Sequence, residues 1–416
     1  MVAKTSALRL RWKTFLVFLA VAGPGIITSN VDNDAGGIAT YSIAGAHFGY
    51  NLLWSLIPIM VALIIIQEMS ARMGVVTGKG LSDLIRERFG VRITVYVLLA
   101  LVLTNFGNVI AEFAGVASSL EIFAVPKWIS VSSSALLVWL LVVKGTYRSV
   151  EKVFLFACLF YIAYIISGFL ARPDWGSVGN GLINPTLKLS TASLAMIIGL
   201  VGTTIAPWMQ FYLQASVVEK NIKLRDYKYS RSDVIAGSFM VTIVAAFIIL
   251  TCAATLFKAG VKVEIAKDAA LALAPLAGKY CSALFAFGLL NASLFAASIL
   301  PLSTAFVVCE GMGWETGVNK KFSEAPQFYG LYSLLIFFGA GIVLLPGIPL
   351  FPVIYISQVI NGIVLPAILI FMLILINNKK LMGEYVNKGL YNLISWLIVI
   401  ILIILSLALF ISLVGL

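Results

Sequence analysis

One histidine, four cysteines and eighteen acidic residues are all that 416 positions hold of the residues that most often build catalytic and metal centres. Zinc sites of the Cys/His kind need several imidazoles or paired thiols at short spacing. Here Cys158, Cys252, Cys281 and Cys309 stand alone in apolar surroundings and read as small buried hydrophobes, without a disulfide framework. Charge is equally scarce, at 11% of residues against about 25% in soluble domains. No nucleophile–base pair and no Walker-type phosphate loop can be picked out, which argues against an enzyme and against an ATP-driven pump. The longest connections, 72–92 and 257–279, leave no room for a soluble output domain, so a sensor or scaffold is disfavoured. A nucleic-acid partner would need a soluble basic face, and none is expected.

What the chain does have is oil. It is 61% hydrophobic, with a mean hydropathy of +1.03, and its apolar runs are long enough to cross ~30 Å of hydrocarbon as helices. The continuous Leu/Ile/Ala/Val runs lack the alternation of a β-barrel. An all-α integral membrane protein follows, with eleven spans predicted at 14–46, 51–71, 93–122, 128–144, 152–171, 191–217, 234–257, 279–309, 328–346, 351–376 and 389–414. Lys and Arg are distributed unequally between alternate connections. With the N-terminus cytoplasmic, 22 of the 29 lie inside, which predicts that orientation and an outside C-terminus in the cytoplasmic membrane. The net charge of +11 then reflects topology and contact with anionic lipid. Ala20-Val21-Ala22 resembles a signal-peptide cleavage site, but the apolar run continues past it, so an uncleaved first span is expected.

Two spans are interrupted. Asp32-Asn33-Asp34-Ala35-Gly36-Gly37 falls inside the first, and Gly202-Thr203-Thr204-Ile205-Ala206-Pro207 inside the sixth, five spans later. Hydrocarbon cannot satisfy the backbone groups such breaks release, so broken backbone must pack in protein or line a cavity. A matched pair of breaks points to a secondary-transporter site between inverted five-span repeats, here about 14–171 and 191–376, with 389–414 as an extra helix in a single transport domain. Each carboxylate costs ~3 kcal/mol at mid-membrane on insertion scales and needs a partner. No Lys or Arg in any span is placed to supply one, and His47 lies at the end of span 1. Asp32 and Asp34 beside freed carbonyls therefore suggest a site for a hard divalent cation, with Thr203 as a weaker oxygen donor.

The stretch GPGIITSNVDNDAGGIATYSIAGAHFGY resembles the first span of the NRAMP divalent-metal transporters, with their Gly-Pro-Gly, eight residues, Asp-Pro-Gly-Asn and later Phe-Gly-Tyr. SARMGVVTGKGLSDLIRERFG (70–90), VCEGMGW (308–314), SQVINGIVLP (357–366) and LMGEYVN (381–387) resemble later family segments in order. The resemblance runs from about residue 21 to 390 and implies a LeuT-type fold with an eleventh helix. The departures fall on the site. The family's Asp-Pro-Gly-Asn is Asp34-Ala35-Gly36-Gly37, which loses the amide ligand at Gly37. Its Met-Pro-His is Ala206-Pro207-Trp208, which loses a thioether and an imidazole. Its span-10 Gln falls on Val364, with Asn361 one turn earlier.

These changes resemble the bacterial NRAMP-related magnesium transporters. Sulfur prefers transition metals, whereas Mg2+ keeps water and takes oxygen ligands. The resemblance thus implies uptake of Mg2+, with Mn2+ also accepted, by a transporter that needs no cofactor beyond its ion substrate and works as a monomer in the bilayer. The expected metal site is Asp34, Asp32, Gly37, Thr203, Ala206 and Asn361. The family's span-3 Asp and span-6 His, both attributed to proton coupling, are Val109 and Trp208, so transport without protons is expected; the alternative is a proton-coupled carrier of Mn2+ or Fe2+. Glu112 stands open between a site-facing and a structural acid, Gln67 and Glu68 are assigned to the membrane interface, and Trp208 to packing.

Overall fold

The computed structural model describes residues 23–144, 162–186 and 190–414. The start of the first span, the Ala20-Val21-Ala22 stretch, Cys158 and the first part of the fifth span lie outside the described residues. Helices of eight residues or more are numbered in chain order. The first half contains α1 (Pro24–Val31), α2 (Ala35–Phe48), α3 (Leu56–Thr77), α4 (Leu81–Glu121), α5 (Lys127–Val143), α6 (Ile162–Leu170) and α7 (Trp175–Ile183). The second contains α8 (Thr191–Thr204), α9 (Pro207–Glu219), α10 (Tyr227–Cys252), α11 (Cys281–Met312), α12 (Pro326–Leu344), α13 (Leu350–Ile376) and α14 (Gly389–Val414). No strand occurs among the described residues. Among the described residues, eight helical stretches are long and apolar enough to cross a membrane, and the protein is a multi-pass membrane protein.

Local chemistry sets the element ends. The 41 residues of α4 would reach ~60 Å as one straight rod, twice the hydrocarbon thickness. Gly90, at φ 81° and ψ 169°, breaks the rod between a surface segment, 81–89, and the crossing helix, in a conformation that costs glycine little. The connection after α6 is not plain loop. Asp174 caps α7 by accepting the Gly176 N–H at 3.1 Å. Residues 257–279 likewise carry a short helix, Ala266–Ala270.

Both breaks are narrower than the sequence predicts. The first covers only 32–34, because Asp34 is the N-cap of α2 and its Oδ1 accepts the Gly37 N–H at 2.6 Å. Ala35, Gly36 and Gly37 are thereby helical. The second covers Ile205 (φ −132°, ψ 60°) and Ala206 (φ −66°, ψ 146°), after which Pro207 opens α9. Gly202 stays helical for a packing reason. A Cβ there would overlap the Gln358 carbonyl and lie 2.4 Å from the Gly362 N, so this glycine brings α8 and α13 into backbone contact.

A cavity of about 1200 Å³ opens at one end of the bundle, walled by Ile43 and His47 of α2, Ser118 and Glu121 of α4, Met196 of α8 and Tyr355 of α13. The opposite end bears the Lys/Arg-rich connections. Glu68 there corrects the interfacial expectation. It is 5% exposed, accepts the Tyr391 hydroxyl at 2.6 Å, bonds Tyr227 and pairs with Arg72 at 3.2 Å. Gln67 is buried beside it. A carboxylate with three partners can leave water and serve as glue between helices, here joining α3, α10 and α14.

Candidate metal site

The breaks come together near the centre of the bundle. The Tyr41 hydroxyl of α2 and Thr204 Oγ1 of α8 lie 2.9 Å apart, which ties the second half-helix of one pair to the first half-helix of the other. Two helix C-termini, those of α1 and α8, stop at the breaks with their last carbonyls free of intrahelical donors, and this end of the macrodipole favours a cation.

Asp34 is 5% exposed and Asp32 only 1%. Asp34 spends one oxygen on capping α2. Asp32 has neither carboxylate oxygen bonded to any protein group, and both amide atoms of Asn33 are likewise orphaned. Glu112 comes to the same place from α4. Its Oε2 accepts the Ala35 N–H at 3.2 Å, a donor that an unbroken helix would give to Val31, and its Oε1 has no partner. Every ion pair among the described residues lies at the ends of the bundle, between other side chains. Three buried carboxyls without a basic partner are a costly arrangement unless a cation compensates them.

The other expected ligands divide. Thr203 is buried with Oγ1 unpartnered, and its carbonyl has no N–H four residues on because position 207 is proline. The Ala206 carbonyl is engaged in the first turn of α9, accepting Met209 N–H at 3.2 Å and the reoriented Gln210 amide at 2.9 Å. Gly37 makes room, since a Cβ there would collide with the Asp32 carbonyl oxygen. Asn361 is committed to a network, with reciprocal amide bonds to Asn108 at 3.0 and 3.1 Å and a donation to Gln358 at 3.0 Å. Asn105 continues the stripe along α4 and donates to Thr304 at 2.9 Å. Trp208 is packing, buried with its ring centroid 6.0 Å from that of Tyr212.

Gln358 is the residue that sequence reasoning passes over. A Cβ on Gly36 would strike its amide, and one on Gly202 would strike its carbonyl. It therefore touches both half-helix pairs. The available signal is a second amide, one turn from Asn361, in an otherwise apolar span. Among the described residues no three His, Cys, Asp or Glu side chains converge as a ready-made metal cluster. The candidate donors around the breaks are carboxylate, hydroxyl, amide and carbonyl oxygens, a composition that suits hard divalent cations.

The chain is similar to known proteins over most of its length. A sequence profile described as natural resistance-associated macrophage protein-like matches residues 25–412. The chain is 29% identical over 402 residues to the divalent metal cation transporter MntH of Deinococcus radiodurans, covering 93% of this chain and 88% of that one. It is 26% identical over 420 residues to MntH of Bacillus subtilis, covering 97% and 95%. Among solved structures it resembles the Eremococcus coleocola manganese transporter, with a TM-score of 0.76 at 24% identity over 95% of this chain and 86% of that one. Mhp1, a nucleobase-cation-symport-1 family transporter, shares the architecture at a TM-score of 0.61 and 14% identity, over 94% and 91%. The expected LeuT-type, all-α fold is borne out.

Proposed function

This chain belongs to the natural resistance-associated macrophage protein-like family and transports divalent metal cations, and from that premise we propose that its substrate is Mg2+, with Mn2+ accepted, taken up as a uniporter by alternating access. The reading rests on one observation above the rest: the buried, unpartnered oxygens of Asp32, Glu112 and Thr203 around capped Asp34, with only a methyl group at position 206. An all-oxygen site without a thioether suits a partly hydrated ion, and Mg2+ sheds water reluctantly. The N-terminus is assigned to the cytoplasm, so the open cavity faces outside and the basic end faces in. A monomer suffices, since both breaks belong to one chain. Flux into proteoliposomes at a fixed potential, compared for Mg2+, Mn2+ and Ca2+, tests the assignment. Transport of Mn2+ with no Mg2+ flux overturns it and favours the second reading, transition-metal import, for which the names of the MntH relatives and the manganese transporter speak.

Selectivity should move at position 206. Ala206→Met places a soft ligand at the mouth of α9 and fills the space where ion-bound water would sit. The Mn2+ to Mg2+ rate ratio is expected to rise about tenfold or more, on the scale of one tuned ligand contact, and an unchanged ratio places selectivity elsewhere.

Transport is proposed to run without protons. From Glu112 the polar stripe of α4 continues as Asn108 and Asn105, bonded to Asn361 and Thr304. Amides and hydroxyls carry no titratable proton near neutral pH. Val109 and Trp208 are buried apolar packing. The membrane potential is a sufficient drive: two charges gain ~4.6 kcal/mol per 100 mV, more than a thousandfold in concentration. Liposomes loaded with a pH-sensitive dye and clamped in potential should stay at constant internal pH while Mg2+ enters. Acidification that follows Mg2+ entry would show coupling.

A further inference from the structure

The eight residues of α1 (Pro24–Val31) form the half-helix on the N-terminal side of the first break. Its far end is held by a group outside the site. Asp233, on the second turn of α10 and 1% exposed, accepts the N–H of Gly23 at 3.1 Å, of Gly25 at 2.6 Å and of Ile26 at 3.3 Å. Pro24 has no N–H, so the carboxylate takes every donor that the residues 23–26 can offer. Charge-assisted bonds to a helix N-terminus combine favourable dipole alignment with satisfaction of donors that would otherwise be orphaned. Two glycines close the same joint. A Cβ on Gly25 would lie 2.7 Å from the Val234 N, and one on Gly237 would lie 2.7 Å from the Gly25 carbonyl oxygen.

We propose that Asp233 is a latch: it holds α1 against α10 and so closes the basic end of the transporter, and the path to that end opens when α1 leaves it. The geometry favours a lever. One end of α1 ends in the non-helical residues 32–34 of the ion site, which can absorb rotation, and the other ends on the Asp233 carboxylate across a close glycine contact. An ion arriving among Asp32, Asp34 and the carbonyls of the break changes the forces on the near end of this short rod. Asp233 sets what must be given up at the far end. It is a positioning residue for transport and touches no ion. The proposal rests on the alternating-access reading, but its test uses no metal.

Ile27 is 3% exposed and lies on α1. Ile27→Cys, in protein purified without divalent ions, is labelled with a membrane-impermeant maleimide, and the parent chain with its native thiols gives the blank. Asp233→Asn keeps the side-chain shape but loses the charge and turns an N–H donor toward backbone donors. It is expected to speed labelling at position 27 about tenfold, the order set by losing one charged hydrogen bond. A reporter remote from the joint, Ile336→Cys on α12, buried in the same way, should label at an unchanged rate. Gly237→Ala forces α1 off α10 with Asp233 intact and should also raise the rate at 27, so it serves as the deciding variant if Asp233→Asn does not fold. Unchanged labelling at 27 in a folded variant overturns the latch. So does an equal rise at 27 and 336, which would mean general loosening. Failure of Mg2+ flux in the unsubstituted protein would overturn the substrate assignment and leave the labelling result standing.

Discussion

Asp34→Ala is expected to reduce Mg2+ and Mn2+ flux to the level of empty liposomes, at least a hundredfold, while the protein still inserts and purifies. Removing one full carboxylate from a mid-membrane cation site forfeits about 3 kcal/mol of compensation, which is about a hundredfold in binding. Asp34 has a second duty as the N-cap of α2, so alanine also costs about 1 kcal/mol of helix stability. Asp34→Asn separates the two. Asparagine caps a helix as well as aspartate does, so that variant should match the wild type in thermal midpoint yet fail in flux. Flux near the wild-type rate in the asparagine variant would reduce Asp34 to a cap and move the ion to Asp32 and Glu112.

The other large effect is expected far from any charge. Gly202→Val should lower stability by about 3 kcal/mol, the upper part of the usual range for overpacking, because its Cβ has no space between the Gln358 carbonyl and the Gly362 N–H. Neither obstacle is the end of a flexible side chain, so the crossing of α8 and α13 must widen. The thermal midpoint read by loss of monodisperse protein on heating should fall by several degrees, with flux lost in parallel because Gln358 no longer sits between the breaks. Gly330→Val, at a glycine of α12 with open space around its Cα, is the comparison and should be nearly neutral. Equal midpoints for both variants would refute the packing account of Gly202.

How far the site can be read from the chain follows from what each residue signals alone. Asp32 and Asp34 are conspicuous because hydrocarbon penalises any carboxylate, and Pro207 is conspicuous because it removes a donor. The breaks look longer in the sequence than they are for one reason: glycine and threonine also serve close helix crossings, and Gly36, Gly37, Gly202 and Thr204 are helical. The roles of Gln358, Asn108 and Asp233 depend on partners far away in the chain, such as Asn361 for Asn108 at a separation of 253 residues, and no local pattern announces them. The place of Glu68 near a span end suggests the interface. Its burial comes from Tyr227 and Tyr391 of distant helices.

Along one side of α13, Tyr355, Gln358 and Asn361 follow at three-residue steps. Tyr355 walls the open cavity and its ring lies 3.3 Å from where a Cβ on Gly199 would stand, Gln358 rests on Gly36 and Gly202, and Asn361 clasps Asn108 of α4. Three jobs, those of vestibule wall, spacer between the broken helices and tie to the neighbouring scaffold, are thus geared to the rotation of a single shaft. A turn of α13 that narrows the cavity must at the same time reset the gap around the ion and strain the amide clasp. A lesion anywhere on that side of α13 is therefore expected to slow loading for every cation alike and to leave the order of preference among them unchanged.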